Sequence, residues 1–429
     1  MIFKPPANFV LFKQRRNALL NRVQQKYQTK KGVIIISAGF EHDRHVFRQE
    51  SSFYYLTGIT DPAVILCIFL DGREVLYVPQ FGTARKQWTT VLAGSSDDAG
   101  KVSVDEIRYL GQTVEGYSFK PVFTREKYEH LVKDISSLVA EQGTVFTMLD
   151  QSREGYWWHI NWYNALTSWI PALKQCTHDI SPLLHDMRRV KDEYEIDLIF
   201  KAVQITNMAH RAVASLIADG VGEHEILAAA ECVFMQAASS LPAFPSIVAA
   251  GANTTVLHYT QRGGQLKDGD LVVVDIGSEY GLYASDVTRT FPVGKKFSAR
   301  QREIYNIVLE AQAYVEAQAR PGMYLKNPQF PEKSLHHLAV KFLEKRGLGQ
   351  YFYHGIGHFL GLDVHDVGDL ASPLMPGDIF TLEPGVYIPQ ENIGIRIEDD
   401  FVMADDGAVC LSYELPKQAE EIEQLMSAK

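Results

Sequence analysis

Asp275 and Asp286 stand eleven residues apart in LVVVDIGSEYGLYASDVTRT, residues 271–290. The apolar run before Asp275 reads as a buried strand. A fold-back about Tyr280 and Gly281 would set Asp275 directly across a ladder from Asp286, on one face, with Cβ atoms roughly 4.5–5.5 Å apart. Two like charges that close repel, and a buried carboxylate is costly unless it is paired or metal-bound. A cation is the simplest resolution. The same design recurs near the C-terminus: LKDGDLVVVDIG and LMPGDIFTLEPG share L-x-x-G-D-x-x-x-x-[D/E]-x-G, which matches Glu383 to Asp275. A strand over 386–389, a turn near Gln390 and Glu391, and a return over 394–398 predict Glu383 opposite Glu398. Two hairpins then supply four carboxylates, all quoted from the two repeats. The repeat is too long for a solenoid array and points to a duplicated domain whose halves meet at the site.

Histidines gather nearby. HGIGHFLGLDVHDVG holds His354, His358 and His365, and NTTVLHYT holds His258. A His pair at i, i+4 can grip a metal from one helix face, but Gly355, Gly357 and Gly361 oppose a regular helix. A glycine-rich loop is expected, with one imidazole as ligand and the others for proton and oxyanion work. A single such histidine would most often be packed; three beside four carboxylates favour chemistry.

The elements that must position these groups follow from periodicity. Helices are expected over about 192–218, 223–238, 298–318 and 331–345, with a proline-punctuated strand over 244–250. The N-terminal part alternates: a basic helix over 8–28 with a solvated face, strands at 33–37, 63–70, 74–79 and 144–150, and a helix over 122–140, which suggests an α/β domain. Glu41, His42, Asp43 and His45 crowd together in a polar segment and make a weak second metal candidate. Trp88, in RKQWTT, is a contact candidate or a satellite core residue. Tyr156, Trp157, Trp158 and Trp162 read as a packing cluster. The break is expected near 177–182, giving domains 1–178 and 179–429. The overall class is α/β (α+β).

Composition bounds the rest. The chain has 429 residues, 46% of them hydrophobic, and a formal net charge of −10. Phosphate binding wants a basic face, so nucleic acid is not an expected partner. The first residues lack the pattern of a secretory signal, and no apolar run is long enough for a membrane span. Cys67, Cys176, Cys232 and Cys410 are widely spaced without C-x-x-C, so neither disulfides nor a structural zinc site is expected, and a reducing cytoplasm fits best.

These residues match a family. VVVDIG, SDVTRTFPVG, HGIGHFLGLDVHD, LEPGVYI and GIRIEDD make residues 186–415 resemble the pita-bread metallopeptidases, the fold of methionine aminopeptidase, aminopeptidase P and prolidase. FRQESSFYYLTGITDP, residues 47–62, resembles the creatinase-like N-terminal domain of that group, and HFLGLDVHDVG with the overall length is most similar to Xaa-Pro aminopeptidases. The resemblance implies a pseudo-two-fold catalytic domain with Asp275, Asp286, His358, Glu383 and Glu398 as ligands of two divalent ions. That donor set suits Mn²⁺, with Zn²⁺ or Co²⁺ possible. Two ions roughly 3.5–4 Å apart would share a hydroxide that attacks the scissile carbonyl. Asp286 and Glu398 would bridge the ions and Glu383 would shuttle the proton. His258 and His365 would polarise the carbonyl and steady the oxyanion, and His354, Tyr387 and Arg396 would contact substrate. Arg396 is equally readable as a salt bridge orienting Glu398. The implied substrates are peptides with proline second, and the implied assembly is a homodimer or homotetramer in which a neighbour's loop, bearing Trp88, closes the pocket. Prolidase is the near alternative, and a non-catalytic binding protein on the same fold the remote one. Methionine aminopeptidase is disfavoured by the large N-terminal part, creatinase by the full metal set. In PAFPSIV, Phe244 stands where many aminopeptidase P sequences carry Tyr, so one hydroxyl supporting a ligand would be missing.

Overall fold

The computed structural model describes residues 8–41, 46–81, 85–88, 96–114, 118–152, 154–237 and 241–427. His42, Asp43 and His45 lie outside the described residues, as does the side chain of Trp88. Glu41 is described, and its carboxylate accepts both hydrogen bonds of a 3.0 Å pair from Arg85. None of the described helices is long and apolar enough to cross a membrane.

Two compact units divide the chain, Pro6–Met187 and one built on Arg188–Lys429. The division falls beyond the expected 178/179 boundary. Thr177–Asp179 is the edge strand of the N-terminal sheet, paired in parallel with Thr144–Thr147. The residues after it stay tied to the same unit, since Met187 O accepts from the Tyr55 hydroxyl and His185 Nε2 meets the Tyr156 hydroxyl at 3.0 Å.

The N-terminal unit is a mixed sheet in the order Glu106–Tyr109, Glu74–Val78, Ile65–Phe69, Gly32–Ser37, Thr144–Thr147, Thr177–Asp179. The three strands Gly32–Ser37, Ile65–Phe69 and Glu74–Val78 are buried along their whole length, as near-continuous apolar runs require. Helix Phe9–Tyr27 starts at the Asn8 cap, and its basic side is not simply solvated. Arg15 and Arg16 are buried, and Arg16 donates to Glu74 Oε2 at 2.9 Å and to the carbonyls of Leu56 and Ser103. In helix Trp157–Trp169, Trp162 is fully buried while Trp157 is exposed, so the aromatic group is in part a packing cluster.

The C-terminal unit is duplicated. Each half brings helices against a hairpin of matching design. Helices Glu193–Ala214 and Ala299–Gln318 both begin with a capping box, Asp192 with Glu195 and Ser298 with Gln301, which satisfies two of the orphan N–H groups at each start. The expected helix at 331–345 is a 3₁₀ turn, Pro331–Lys333, followed by Leu335–Glu344. Strands Ile247–Ala250, Leu271–Ile276 and Val287–Pro292 form one sheet, with Leu271–Ile276 central. In the other half, Ile379–Leu382 pairs with Asp399–Met403, and Gly385–Ile388 with Ile393–Arg396. The halves join at Thr288 and Glu398, whose backbones exchange hydrogen bonds of 3.3 and 3.1 Å. A mixed α/β N-terminal domain followed by a pseudo-two-fold pita-bread domain is the fold expected.

The first hairpin corrects one register. Asp275 pairs with Thr288, not with Asp286, and the same register runs through Tyr280 opposite Tyr283. The turn is Gly281–Leu282, one residue later than expected, and both residues have left-handed φ, 60° and 68°. Two such residues match the twist of a two-residue hairpin, which glycine adopts freely and leucine does not. Because side chains alternate with period two, a two-residue displacement leaves Asp275 and Asp286 on the same face, now diagonal. In the second hairpin the ladders on either side, Leu382 with Asp399 and Gly385 with Arg396, keep one register and set Glu383 opposite Glu398.

Candidate metal centre

Strand geometry delivers the carboxylates and a glycine loop delivers the imidazole. Asp275 is the penultimate residue of strand Leu271–Ile276, and Asp286 immediately precedes strand Val287–Pro292. Residues 354–368 form no regular element. The loop is pinned to strand Ile379–Leu382: Thr381 N–H donates to His358 O at 2.9 Å, and His358 N–H donates to Thr381 Oγ1 at 3.2 Å. A Cβ on Gly357 would lie 1.9 Å from Thr381 O, so only glycine allows this approach. Farther along, buried Asp366 accepts from Arg188 at 2.6 Å and Lys191 at 3.1 Å, which anchors the backbone beside His365.

His358 Nδ1 faces the Phe359 carbonyl at 3.1 Å. A proton there leaves Nε2 with a free lone pair, as metal-ligating histidines require. Nε2 lies 3.4 Å from Asp286 Oδ2 and 3.6 Å from Glu383 Oε1. Donor atoms of Asp286, His358 and Glu398 all fall within 4.8 Å of one another. Asp275 joins them through Arg396, whose Nη2 donates to Asp275 Oδ2 at 2.6 Å while its Nε lies 4.0 Å from Glu398 Oε2.

The electrostatics leave a cation missing from the protein's own inventory. Burial, then the charges of Asp275, Asp400 and Glu383, pushes the Asp286 carboxyl well above its ordinary range. Burial, then Asp286 and Glu383, does the same to Glu398, and burial raises Glu383 despite the nearby His358 and Arg396. Asp275 Oδ1, Asp286 Oδ1 and Asp400 Oδ1 are buried without a hydrogen-bond partner. Orphaned carboxylate oxygens are rare and expensive in a folded interior. Divalent ions would satisfy the oxygens of Asp275 and Asp286, and an oxygen-rich set with one imidazole fits such ions. The residues present therefore fit the metal site that the resemblance implies.

Nine of the ten expected site residues line one cavity of about 660 Å³: His258, His354, His365, Arg396 and all five ligand candidates. Tyr387 is the exception: it is fully buried and is not among the residues of the cavity wall. Its hydroxyl accepts from Arg396 Nη1 at 3.0 Å and meets His354 Nε2 at 2.8 Å, which makes it a brace between them. His354 Nδ1 in turn lies 3.4 Å from Glu383 Oε2. Burial and the Arg396 charge hold the His354 imidazole down, to about 3. Arg396 both lines the cavity and pairs with Asp275, and the pairing is the closer contact. Phe244 lines the cavity beside Gly277, where an added Cβ would approach its ring to 2.7 Å.

Sequence reasoning missed Asp400, Thr288 and Glu223. Asp400 Oδ2 accepts from the Asp286 N–H at 3.0 Å, and its signal was strand alternation, two residues after Glu398. Thr288 Oγ1 donates to Glu398 Oε2 at 2.7 Å. Glu223 is buried and gathers the segment that carries His258, with donors at Ala250 N, Asn253 Nδ2, Tyr259 OH and Gly264 N.

Residues 197–405 match Metallopeptidase family M24, and residues 12–118 match the Aminopeptidase P, N-terminal domain. The Xaa-Pro aminopeptidase of Escherichia coli (strain K12) is 31% identical, over 97% of this chain and 97% of its own. The Xaa-Pro dipeptidase of Pyrococcus furiosus is 36% identical, over 85% of this chain and 92% of its own. Among solved structures, zinc-substituted E. coli aminopeptidase P in complex with product superposes with a TM-score of 0.82 at 28% identity, covering 99% of each chain. With the duplicated hairpins, the ligand-bearing cavity and a matched N-terminal domain, this chain belongs to metallopeptidase family M24, among its aminopeptidase P members.

Proposed function

We propose that the protein releases the first residue from peptides whose second residue is proline, as a dinuclear Xaa-Pro aminopeptidase. The observation that carries this reading is the convergence of five ligand-type side chains in one peptide-sized cavity, with each of the four carboxyl groups among them either orphaned at one oxygen or raised by burial. Asp275, Asp286, His358, Glu383 and Glu398 would hold two divalent ions, Mn²⁺ first, with Zn²⁺ or Co²⁺ as the alternatives. When bound, the ions supply Lewis acidity toward the scissile carbonyl and lower the pKa of water.

The chain's own residues do the rest. Glu383 has its carboxyl raised by burial toward working pH, which suits a group that takes a proton and returns it to the leaving proline nitrogen. His258 and His365 line the cavity and donate to the oxygen of the scissile carbonyl as charge builds on it. Arg396 fixes Asp275, and Tyr387 fixes Arg396 and His354. The Xaa-Pro bond is a tertiary amide without N–H, so no backbone acceptor is needed to grip it. Phe244, Ile247, Leu257, Val364 and Leu370 give the cavity an apolar wall for the ring.

A dipeptidase reading draws on the Pyrococcus relative. The Escherichia relative, aligned over nearly all of both chains, favours the aminopeptidase. A cytoplasmic homodimer or homotetramer completes the reading, and full activity in a light-scattering monomer would sink the oligomer. The deciding assay compares Xaa-Pro with Xaa-Pro-Xaa on Mn²⁺-loaded enzyme, with Asp286→Ala as blank. Release of the first residue from the tripeptide is the expected result. Cleavage of the dipeptide alone makes the protein a prolidase, and cleavage of neither by metal-loaded protein leaves the non-catalytic reading.

A further inference from the structure

Two lysine or arginine side chains line the cavity, Arg396 and Lys326. Arg396 is committed to Asp275 and Tyr387. Lys326 is not committed: among the described residues its ammonium has no hydrogen-bond or ion-pair partner. The titratable neighbour that feels its charge is His336, which burial first and Lys326 second hold down to about 4. A neutral imidazole is no counter-ion.

The backbone beneath Lys326 is fixed. Leu325 and Asn327 on either side are buried. Lys326 N–H donates to Leu370 O at 3.0 Å, and Asn327 spans Ser334 Oγ at 3.1 Å and Ala371 O at 3.0 Å. The chain thus holds an exposed cation at the wall of a cavity whose other fixed charges are carboxylates and the Arg396 already paired with one of them. A short peptide carries its own complementary pair, an ammonium at its first residue and a carboxylate at its last. The carboxylates of the cavity suit the ammonium end, and among the described lysines and arginines of its wall Lys326 is the one left to meet the other.

Resting on the peptidase reading above, we propose that Lys326 receives the free α-carboxylate of short peptide substrates and makes the enzyme selective for peptides with an unblocked C-terminus. Each added residue moves that carboxylate by at most about 3.6 Å, so the preference fades as the peptide lengthens past the lysine. Lys326 is a specificity residue, and its loss appears in KM.

The test is kcat/KM for Xaa-Pro-Xaa and its C-terminal amide, with Mn²⁺-loaded wild type, Lys326→Ala, Lys326→Arg and Lys326→Glu. The wild type prefers the free acid by about two- to fivefold, the range of a solvent-exposed ion pair, and added salt erodes the preference. In Lys326→Ala the acid-to-amide ratio falls to about one. Lys326→Arg keeps it, which separates charge from folding, and Lys326→Glu inverts it. An unchanged ratio in Lys326→Ala and Lys326→Glu overturns the proposal. Failure of the wild type to cleave either peptide refutes the peptidase reading instead.

Discussion

Thr288 concentrates the support of the metal site in one small side chain. Its Cα stands opposite Asp275, its backbone bonds to Glu398, its hydroxyl donates to Glu398 Oε2 at 2.7 Å, and its Oγ1 accepts from Arg396 Nε at 3.3 Å. Valine keeps the shape and removes the hydroxyl, leaving Glu398 Oε2 without a donor and Arg396 Nε without an acceptor. Groups that orient a metal ligand typically cost about 10–100-fold in metal affinity or activity when lost. Thr288→Val is therefore expected to lower Mn²⁺ affinity and kcat/KM by that factor, with Thr288→Ser near wild type. Calorimetric metal titration and tripeptide kinetics check it, and a loss under about threefold would remove the hydroxyl from the site's support. The ligands themselves were legible in the sequence because the chemistry dictates their type: a hard dinuclear site needs carboxylates, and the repeat places them. Thr288 and Asp400 were not, because hydrogen-bonding partners of ligands can be of many types and only the fold selects them.

At the scale of elements, the segment that carries His258 has little regular structure to hold it. Residues 251–264 contain one 3₁₀ turn, Gly251–Thr255, and otherwise irregular chain. Glu223, in the first turn of helix Glu223–Gln236, binds both its ends: it accepts from Ala250 N at 2.9 Å and Asn253 Nδ2 at 2.9 Å, and from Tyr259 OH at 2.9 Å and Gly264 N at 2.6 Å. A Cβ on Gly264 would lie 2.5 Å from this carboxyl group, so the contact admits only glycine. The helix terminus favours the negative charge. Glutamine at 223 turns one acceptor into a donor aimed at other donors, and an unsatisfied buried group costs about 1–3 kcal/mol. Glu223→Gln is expected to be destabilised by about that amount and to lose kcat more than KM, because His258 is displaced while the cavity stays. Denaturant unfolding and tripeptide kinetics test this, and wild-type kcat in a destabilised variant would confine Glu223 to stability. Helix starts were legible from their caps, Asp192 and Ser298. The first hairpin's register was not, because its turn uses Leu282 at φ 68°, a conformation that no local signal assigns to leucine. The face survived the error because two residues separate the two registers.

The whole molecule stores mutual repulsion among carboxylates that an ion relieves, and this makes its stability depend on metal and pH together. Asp286, Glu383 and Glu398 have their carboxyl groups raised by burial and by neighbouring carboxylates. With folded pKa values above the unfolded ones, the metal-free fold binds more protons than the unfolded chain once pH exceeds the ordinary carboxylate range. Stability is then full at low pH and is lost as pH rises, by up to about 1.4 kcal/mol per pH unit for each group while it remains in its window. Metal replaces those protons, and binding to the folded state alone adds stability by mass action, about 4 kcal/mol at a thousand times Kd. The gain in melting temperature on adding Mn²⁺ is therefore expected to be larger at pH 8 than at pH 5, because protons compete for the same oxygens. Removing one charge with Asp286→Ala should raise the metal-free melting temperature at pH 8 and abolish most of the metal-induced shift. Comparing the shift between the two pH values isolates the site from every group that titrates identically with and without metal. A shift equal at pH 5 and pH 8, or an Asp286→Ala variant still stabilised like wild type, would mean that the added ion does not occupy the carboxylate cluster joining the two halves of the domain.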